Sequence, residues 1–436
     1  MKRILVLAYY FPPHGGAGVQ RTVKFLKAWP ALGYESVVLT GPSSTALGWA
    51  PPDASLLADI PVMTEIHRLP DPEPSASGRW RGRAERWLTL RSPFSRWWVD
   101  GATALGLELA SGVDVVYASM SPFETAEAAA GISASSGKPW VADLRDPWAL
   151  DEWTRYPTGL HRRLDGRRMR RALATASTVV LNTPEAERAV RERFPELADR
   201  VTTIPNGWDQ DDFSSPVGEH DDGPFRIVHV GYVHDRPTGT RWSGVVRRSF
   251  GGETAGLVPE ARSYLFILEA VRRVSAEDGF PIEIHLAGAA RPIRSDGLED
   301  HGYLSHPEAI ALLRSADLLF LPMHDLAPGI RSRTVPGKTY EYLASGVPIL
   351  AALPDGDARD LLSGLPDVWL CRPRDVDCMA EAIRSFRMRR RAGRRVPTVA
   401  HEYERRRLAA RLVEVFDAVS GSPTPEHRAG AASTSS

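Results

Sequence analysis

Short runs of valine, isoleucine and leucine recur along this 436-residue sequence and alternate with stretches whose apolar residues follow helical spacing. The first run, Ile4–Tyr10, stops at two prolines, and similar runs continue as far as Val201–Ile204. Continuous apolar runs are typical of parallel strands buried on both faces, with helices as the crossovers. The pattern restarts at Phe225–Val230, after a polar stretch at Asp211–Pro224 that we interpret as a linker. The sequence therefore predicts an α/β protein of two similar halves, each built on a parallel, doubly wound sheet.

These boundaries predict four segments. An N-terminal domain is expected over residues 1–208 and a C-terminal domain over residues 209–396. Residues 397–419 are expected to contain an amphipathic helix, because their apolar residues recur at helical spacing. Residues 420–436 are mostly Ser, Pro, Thr, Ala and Gly and are predicted to be a disordered tail.

Composition and charge argue against several classes of protein. The 54 basic residues equal the 54 acidic ones, so no net charge draws the chain to nucleic acid. The sequence has no apolar run of 18 residues for a membrane span, and its first apolar run is too short for a signal peptide. The two cysteines, Cys371 and Cys378, are expected to stay reduced in a cytoplasmic protein, and no metal-ligand cluster accompanies them. We therefore predict a cytoplasmic protein without a metal site.

The first candidate loop, His14-Gly15-Gly16-Ala17-Gly18, follows the first predicted strand. Gly15, Gly16 and Gly18 allow phosphates or sugar hydroxyls to approach the backbone at the start of a helix. The loop is not GxGxxG, and no acid follows where a ribose would need one, so a dinucleotide site is disfavoured. A tight turn without a ligand is the alternative.

The second candidate loop lies within ADLRDPW, residues 142–148, at the end of another predicted strand. Charges at such a position are costly unless they are paired or used. One interpretation is that Arg145 or Asp146 faces the reacting group of a sugar while Trp148 lines an acceptor pocket. The alternative is an Asp–Arg pair that only holds the loop in place.

The third candidate site combines two stretches of the second half. Gly231 and Arg236 follow its first strand, where a glycine and a cation suit phosphate contact, although a polar turn is an equal alternative. The stretch PGKTYEYLASGVP, residues 336–348, is expected at the same end of the sheet. There Lys338 could meet a diphosphate and Glu341 could accept hydrogen bonds from ribose hydroxyls. The alternative is an ordinary ion pair at a helix start.

Several motifs together resemble one family. IPNGWD at residues 204–209, with Phe213 after it, resembles the IPNG-x-D…F signature of family 4 of the GT-B glycosyltransferases. PGKTYEYLASGVP resembles the carboxyl end of that family's E-x7-E motif, and the first loop resembles its Gly-Gly loop. The final helix resembles the family's last helix, which returns to the N-terminal domain. The resemblance covers about residues 1–418 and implies the GT-B architecture, in which two Rossmann-like domains face each other across a cleft.

The resemblance also implies a function. It implies a retaining, metal-independent transferase that moves a sugar from a nucleoside-diphosphate donor to a glycan, glycolipid or small-molecule acceptor, with no further cofactor. Carried over by position, Glu341 would bind the donor ribose. Arg236 and Lys338 would hold the diphosphate and stabilise it as it leaves. Gly15 and Gly16 would lie against the donor phosphates or the acceptor from across the cleft.

The sequence departs from the family pattern at two places. The first acid of E-x7-E falls at position 333, which is Arg333, so the donor-sugar contact has to come from elsewhere, and Arg331 or Arg333 is predicted to add phosphate contacts. No histidine follows the strand of DLRDPW, where many members carry one, so a catalytic role for Arg145 or Asp146 is a hypothesis. Arg333 favours the alternative of an inactive partner subunit that kept the fold. A nucleotide-sugar epimerase or hydrolase would need acids around the sugar and is disfavoured.

Two further stretches leave alternatives open. Residues 79–98 interleave arginine and tryptophan, which predicts peripheral contact with the inner face of the membrane or, alternatively, docking on the sheet. Residues 237–259, rich in glycine and arginine, are interpreted either as a mobile flap over the donor or as a loop without a role.

Overall fold

A computed structural model describes residues 1–44, 53–72, 93–214, 223–233, 249–288, 293, 295–389 and 397–421. Within them the predicted strands form two sheets. The strands, in chain order, are β1 (Lys2–Ala8), β2 (Tyr34–Thr40), β3 (Glu65–Arg68), β4 (Val115–Met120), β5 (Trp140–Leu144), β6 (Thr178–Leu181), β7 (Val201–Thr203), β8 (Phe225–Val230), β9 (Ile282–Ala287), β10 (Leu298–Asp300), β11 (Leu318–Pro322), β12 (Ile349–Ala352) and β13 (Val368–Cys371).

Helices connect these strands and begin at recognisable signals. Thr183 caps one of them by accepting a hydrogen bond from the backbone of Ala186, and Pro184 follows at its first position. Ser305 and Glu308 form a reciprocal capping box at another. The helices, in chain order, are α1 (Ala17–Ala28), α2 (Pro93–Ala110), α3 (Thr125–Ser136), α4 (Gly159–Leu173), α5 (Pro184–Arg193), α6 (Leu265–Asp278), α7 (His306–Arg314), α8 (Lys338–Ser345), α9 (Asp357–Leu362), α10 (Val376–Met388) and α11 (Arg405–Val419).

Both sheets are parallel and doubly wound. The first has the order β3-β2-β1-β4-β5-β6-β7 and the second β10-β9-β8-β11-β12-β13. In each sheet the strand order reverses beside the first strand, between β1 and β4 and between β8 and β11, and ligands of such folds bind at the carboxyl ends beside that point. The predicted α/β fold with two Rossmann-like halves is confirmed. The sheets span residues 2–203 and 225–371, while the domain boundaries at 208 and 396 stay predictions.

The last helix returns to the first half, as predicted. Leu408, Leu412 and Phe416 of α11 are fully buried in the same core as Val6 and Trp29. The segment that leads back to the first half, before α11, lies beside the segment at Trp208 that first leaves it. The backbone N–H of Trp208 donates to the carbonyl of Tyr403 at 3.0 Å, and that of Arg405 donates to the carbonyl of Trp208 at 2.9 Å.

Some predictions fall outside the described residues. These are Arg236, the interpretation of residues 237–259 up to residue 248, residues 79–92 of the arginine- and tryptophan-rich stretch, and the tail from residue 422. Of the stretch that continues to residue 98, the described part begins α2, and Trp98 is buried edge-on against Tyr9. No helix in the described ranges has the length and apolar character to cross a bilayer.

The cysteine prediction is wrong. Cys371 and Cys378 form a disulfide instead of remaining reduced thiols. The last residue of β13 and the first turn of α10 bring their Cα atoms to 5.8 Å, a separation that a disulfide can span. The two cysteines are seven residues apart in the sequence, and this spacing alone does not predict that their side chains meet.

Candidate functional site

Glycines line the carboxyl ends of β8 and β9, where α8 begins. Gly231 and Gly288 both have positive φ angles, of 120° and 94°. Lys338, the first residue of α8, donates a hydrogen bond from Nζ to the carbonyl of Val230. A Cβ atom at Gly231 would lie 1.8 Å from this Nζ atom, so only glycine lets the ammonium group reach the strand end. Two of the predicted donor-site residues, Gly231 and Lys338, are therefore in contact.

A second cation, Arg262, lies close to Lys338. Burial, and then the charge of Arg262, hold the pKa of Lys338 well below its usual value. Burial likewise lowers the pKa of Arg262, whose Nε atom has no hydrogen-bond partner in the described part of the chain. Two neighbouring, partly buried cations that form no salt bridge with a described residue are unfavourable unless an anion joins them. The sequence analysis missed Arg262, which lies before α6 in no recognisable motif.

Glu341 lies one turn into α8 and is partly exposed. Among the described residues its carboxylate has no hydrogen-bond or ion-pair partner, and in particular it does not pair with Lys338. It lies near His306. Burial alone would lower the pKa of the His306 imidazole, but a hydrogen bond to Asp212 and the charge of Glu341 raise it. His306 itself contacts Gln20 of the first half at 2.9 Å, so this side of α8 faces the other domain. A carboxylate in such a place is free to accept hydrogen bonds from a ligand.

On the opposite side of the cleft, Arg145 lies against the glycine loop. A Cβ atom at Gly18 would be 1.1 Å from Nη1 of Arg145, so the guanidinium occupies the space that a side chain would fill. Its Nε atom donates to the carbonyl of Met120 at 2.5 Å, and burial lowers its pKa. Gly16 precedes α1 with a φ of 103° and no side-chain cap, which leaves backbone N–H groups at the helix start. The structure thus brings two predicted loops, Gly15–Gly18 and Arg145–Asp146, together.

An Asp–Arg pair does hold the second loop, but its arginine is Arg21 of α1 and not Arg145 of the loop itself. Asp143 accepts two hydrogen bonds from Arg21, at 2.8 and 2.9 Å, and both side chains are fully buried. Arg21 also donates to the carbonyls of Ile204 and Pro205, next to the crossing between the domains. Asp143 is therefore paired with Arg21, and Arg145 is not its structural partner.

Three acids follow in the same loop. The carboxylate of Asp146 makes no hydrogen bond in the described part of the chain, and burial raises its pKa against the opposing charge of Arg145. Burial, then the charges of Asp146 and Glu152, raise the pKa of Asp151 to about 7. The loop is a place where carboxylates are held out of water and near one another.

Glu152 reaches from this loop to the other domain. It is only 1% exposed, and its Oε1 atom accepts hydrogen bonds from Ser332 Oγ and, at 3.0 Å, from the backbone N–H of Arg333. Its Oε2 atom has no partner in the described residues. Position 333 is where the resemblance placed an acid, so a carboxylate is present there after all, supplied by the first domain. The sequence analysis missed it, although Asp151-Glu152-Trp153 closely follows DLRDPW.

His324 completes this buried cluster. Its Nε2 atom lies 3.6 Å from Glu152 Oε1, and its ring contacts that of Trp153 at 4.2 Å. Neither ring nitrogen has a hydrogen bond within the described ranges, and burial lowers the pKa of the imidazole. Burial opposes the effect, but the nearby imidazole of His324 and a hydrogen bond from Ser332 lower the pKa of Glu152. Unsatisfied buried polar atoms are rare and call for a missing partner.

The two basic residues before α8 contact the first domain. Arg331 donates to Glu185 at 2.8 Å and to Asp360 at 2.5 Å, and Arg333 Nη1 donates to the carbonyl of Leu150 at 2.6 Å. Two carboxylates thus occupy Arg331, so these contacts give its predicted phosphate role no support.

Trp148 does not line an open pocket, contrary to the interpretation of the second loop. It is 2% exposed, its ring stacks on Phe123 with centroids 5.0 Å apart, and its Nε1 atom donates to Asp165. The indole is large and apolar, and it packs into the core of the first domain.

Among the described residues, two groups of side chains lie close enough to share a cation. Asp59, Asp209 and Asp212 are already neutralised by Lys24 and Lys27. The second group, at the β9–β10 edge, is His285, Glu299 and His301. Neither group includes a residue of the Lys338 site.

Comparisons with known proteins agree with this geometry. A profile of the family described as "Glycosyl transferases group 1" matches residues 254–387, and one described as "Glycosyl transferase 4-like domain" matches residues 15–207. Together the matches span about three quarters of the chain. No curated protein matches the chain in sequence.

Solved structures share the fold at low identity. Anabaena Alr3699/HepE in complex with UDP and glucose superposes with a TM-score of 0.59 at 16% identity, over 96% of this chain and 100% of that one. Sucrose-phosphate synthase from Thermosynechococcus elongatus gives 0.62 at 14% identity, over 97% and 100%. A putative UDP-N-acetylglucosamine 2-epimerase from Listeria monocytogenes gives 0.56 at 14% identity, over 98% and 99%.

Proposed function

Because this chain belongs to the group 1 glycosyltransferases of GT-B fold, we propose that it moves a sugar from a nucleoside-diphosphate donor, held in the second domain, to an acceptor on the first. The observation that carries the proposal is the pair of partly buried cations, Lys338 and Arg262, at the glycine-lined ends of β8 and β9. A diphosphate supplies the negative charge that this pair lacks. Gly231 and Gly288 let the two strand ends and the ammonium group of Lys338 lie close together at the place where the diphosphate would bind.

The same cations support a metal-independent reaction. Charge develops on the diphosphate as its bond to the sugar breaks, and fixed cations in a site shielded from water stabilise that charge strongly. Lys338 and Arg262 take the part that a divalent ion plays in other phosphate sites. The retaining outcome rests on the resemblance to the family, and Arg145 and Asp146 stay the candidates for a role beside the reacting sugar.

Two carboxylates bind different parts of the donor. Glu341 binds the ribose hydroxyls, because it lies one turn from Lys338 and has no partner in the described residues. Glu152 binds hydroxyls of the donor sugar through Oε2, which is buried without a partner. Its other oxygen holds the backbone of Arg333, where the family pattern expects an acid.

Titration calorimetry of the full chain with UDP, GDP, UDP-glucose and GDP-mannose tests the nucleotide site. UDP-glucose is the first donor to try, because the related Anabaena protein was crystallised with it. A folded chain that binds none of these nucleotides would contradict the proposal.

Glu341→Ala is expected to weaken binding of the nucleoside diphosphate and of the nucleotide sugar alike, by about tenfold to a hundredfold, the effect of a lost hydrogen bond to a charged group. Calorimetry of the variant with both ligands measures it. Glu381→Ala, at an exposed position on α10, is the matched control and should bind as the wild type does. Unchanged affinity in Glu341→Ala would mean that the ribose lies elsewhere.

Glu152→Gln is expected to behave differently. It keeps the oxygen that holds Ser332 and Arg333 but changes the one assigned to the sugar, so the affinity for the nucleotide sugar should fall by about tenfold while that for the nucleoside diphosphate stays the same. The ratio of the two affinities in one calorimetric series is the readout. An equal loss for both ligands would assign Glu152 to closing the domains rather than to the sugar.

A second candidate function is an inactive partner subunit, which Arg333 favours. Mass spectrometry of each nucleotide sugar, after long incubation with the protein and without an acceptor, distinguishes this function from the transferase function. Slow, protein-dependent hydrolysis of one nucleotide sugar supports the transferase, whereas an intact donor that binds tightly supports the partner subunit. Peripheral membrane contact through residues 79–98 stays a prediction.

A further inference from the structure

A cavity of about 590 Å³ opens between the start of α4 in the first domain and residues 249–251 of the second. Among the described residues that line it, arginine side chains dominate the polar surface, and none is an aspartate or glutamate. The four arginines are Arg162, Arg163, Arg193 and Arg333.

These arginines are left unpaired, unlike their neighbours. On the same helix, Arg168 pairs with Glu127 and Arg170 pairs with Glu196. By contrast, the described residues provide no carboxylate within salt-bridge distance of any of the four cavity arginines. Four guanidinium groups around one cavity, without acids, create a strongly positive potential in it.

The unpaired nitrogens are partly buried. The Nε atoms of Arg162 and Arg333 are inaccessible to solvent and have no acceptor in the described part of the chain. Their other nitrogens donate to main-chain carbonyls, from Arg162 to Thr154 at 3.1 Å and from Arg333 to Leu150 at 2.6 Å. These contacts fix two guanidinium groups in place, while Arg163 and Arg193 stay exposed at the opening.

The cavity adjoins the proposed reaction centre. Arg333 contributes its side chain to the cavity, and its backbone N–H is the group that Glu152 holds. The walls from the two domains are joined by backbone hydrogen bonds, from Gly159 to Phe250 at 2.7 Å and from Tyr156 to Gly252 at 2.8 Å. A ligand here would span both domains, next to the loop that we assign to the donor sugar.

The rim of the cavity is apolar. Leu160 and Phe250 line it and are 61% and 64% exposed, which is unusual for such large apolar side chains. A ligand that suits this lining carries a multiply charged anion beside an apolar or sugar-like portion. Guanidinium groups bind phosphate oxygens in pairs, so phosphate fits four of them better than a single carboxylate does.

We propose that this cavity binds the phosphate group of a phosphorylated acceptor, carried either by a sugar or by a lipid. The inference rests on the proposed glycosyltransferase function and adds the chemical class of the acceptor. In it, Arg162 and Arg333 form the fixed part of the phosphate site, and Arg163 and Arg193 close over the ligand from the opening.

The test fills the nucleotide site first, with saturating UDP, so that a phosphate probe cannot bind to Lys338 and Arg262. Glucose 1-phosphate and farnesyl phosphate are then titrated calorimetrically, with glucose and farnesol as uncharged controls. In the double variant Arg163→Ala/Arg193→Ala, binding of the phosphates should weaken by about tenfold to a hundredfold, as expected for lost charged hydrogen bonds, while UDP binding stays unchanged. These two arginines are exposed and donate to no carbonyl of a described residue, so the fold should tolerate their loss. Arg167→Ala, an exposed arginine on the same helix outside the cavity, is the matched control and should bind as the wild type does.

The outcomes distinguish a sugar phosphate from a lipid phosphate and show whether the arginines bind either. Arginine-dependent binding of glucose 1-phosphate alone assigns the phosphate to a sugar, that of farnesyl phosphate alone assigns it to a lipid, and that of both assigns recognition to the phosphate itself. Equal affinities in the double variant and the wild type, or an equal loss in Arg167→Ala, would overturn the inference, as would a UDP-bound protein that binds neither phosphate. A chain that binds the phosphates through these arginines but binds no nucleotide would keep this site and remove the proposed function.

Discussion

Replacing Lys338 by methionine is expected to lower the rate of sugar transfer by about a hundredfold to a thousandfold, the effect of removing one group that stabilises developing charge. The same change should leave the free protein as stable as before or slightly more stable. Because burial and Arg262 hold the pKa of Lys338 below its value in the unfolded chain, the folded state disfavours the charged form. The lysine therefore costs stability at neutral pH; the cost is absent above its unfolded pKa, grows as the pH falls from that value towards the folded pKa, and is complete below the folded pKa.

The measurements are the rate of donor hydrolysis or transfer by mass spectrometry and a thermal melt with and without UDP. Lys138→Met, which removes a lysine before β5, is the matched control and should change neither. UDP should raise the melting temperature of the wild type more than that of the Lys338→Met variant. A variant that loses activity together with several degrees of melting temperature would instead give Lys338 a structural role.

Replacing Asp143 by asparagine is expected to have the largest effect on stability. Asp143 and Arg21 are both fully buried, and removing one partner of such a pair costs about 3–5 kcal/mol because it leaves the other charge uncompensated. Tyr117 also donates to Asp143, so an amide there would have to satisfy a phenol and a guanidinium with a single oxygen. Since Arg21 also holds the carbonyls before the domain crossing, the first domain should melt earlier than the second.

Urea denaturation followed by tryptophan fluorescence, with separate transitions resolved, measures this loss. Glu277→Gln is the matched control, because Glu277 belongs to an exposed ion pair with Arg384, and such pairs contribute little to stability. If the Asp143→Asn variant unfolds at the same urea concentration as the wild type, the buried pair does not hold the loop.

Most strands that the sequence predicted have continuous apolar runs, and the predicted strands include the edge strand β7, which was expected at Val201–Ile204 and ends at Thr203. Phe225–Val230, inside the second sheet, has the predicted bounds, because a strand buried on both faces needs an unbroken apolar run. The missed strands, β3, β10 and β13, lie at the edges of the sheets. They are only three or four residues long, and EIHR and LED carry charges that an edge strand can leave in solvent.

The candidate site divides in the same way. Gly231, Lys338 and Glu341 could be predicted because each belongs to a local motif at the end of a predicted strand. Arg262 and Glu152 could not, because each matters only through what distant elements bring beside it: a second cation for Arg262, and the backbone of position 333 for Glu152. No spacing along the chain encodes either approach.

The return of α11 to the first domain sets the order in which the protein can fold during synthesis. Leu408, Leu412 and Phe416 fill the core beside Val6 and Trp29, so the part of this face of the first sheet that α1 does not cover stays open until α11 has left the ribosome. The second domain, whose sheet ends at residue 371, can bury its own cores before then. Domains usually fold in the order in which they are made. Of the two described domains, the one synthesised earlier is completed later, and a chaperone could bind its exposed apolar residues before α11 folds back onto it.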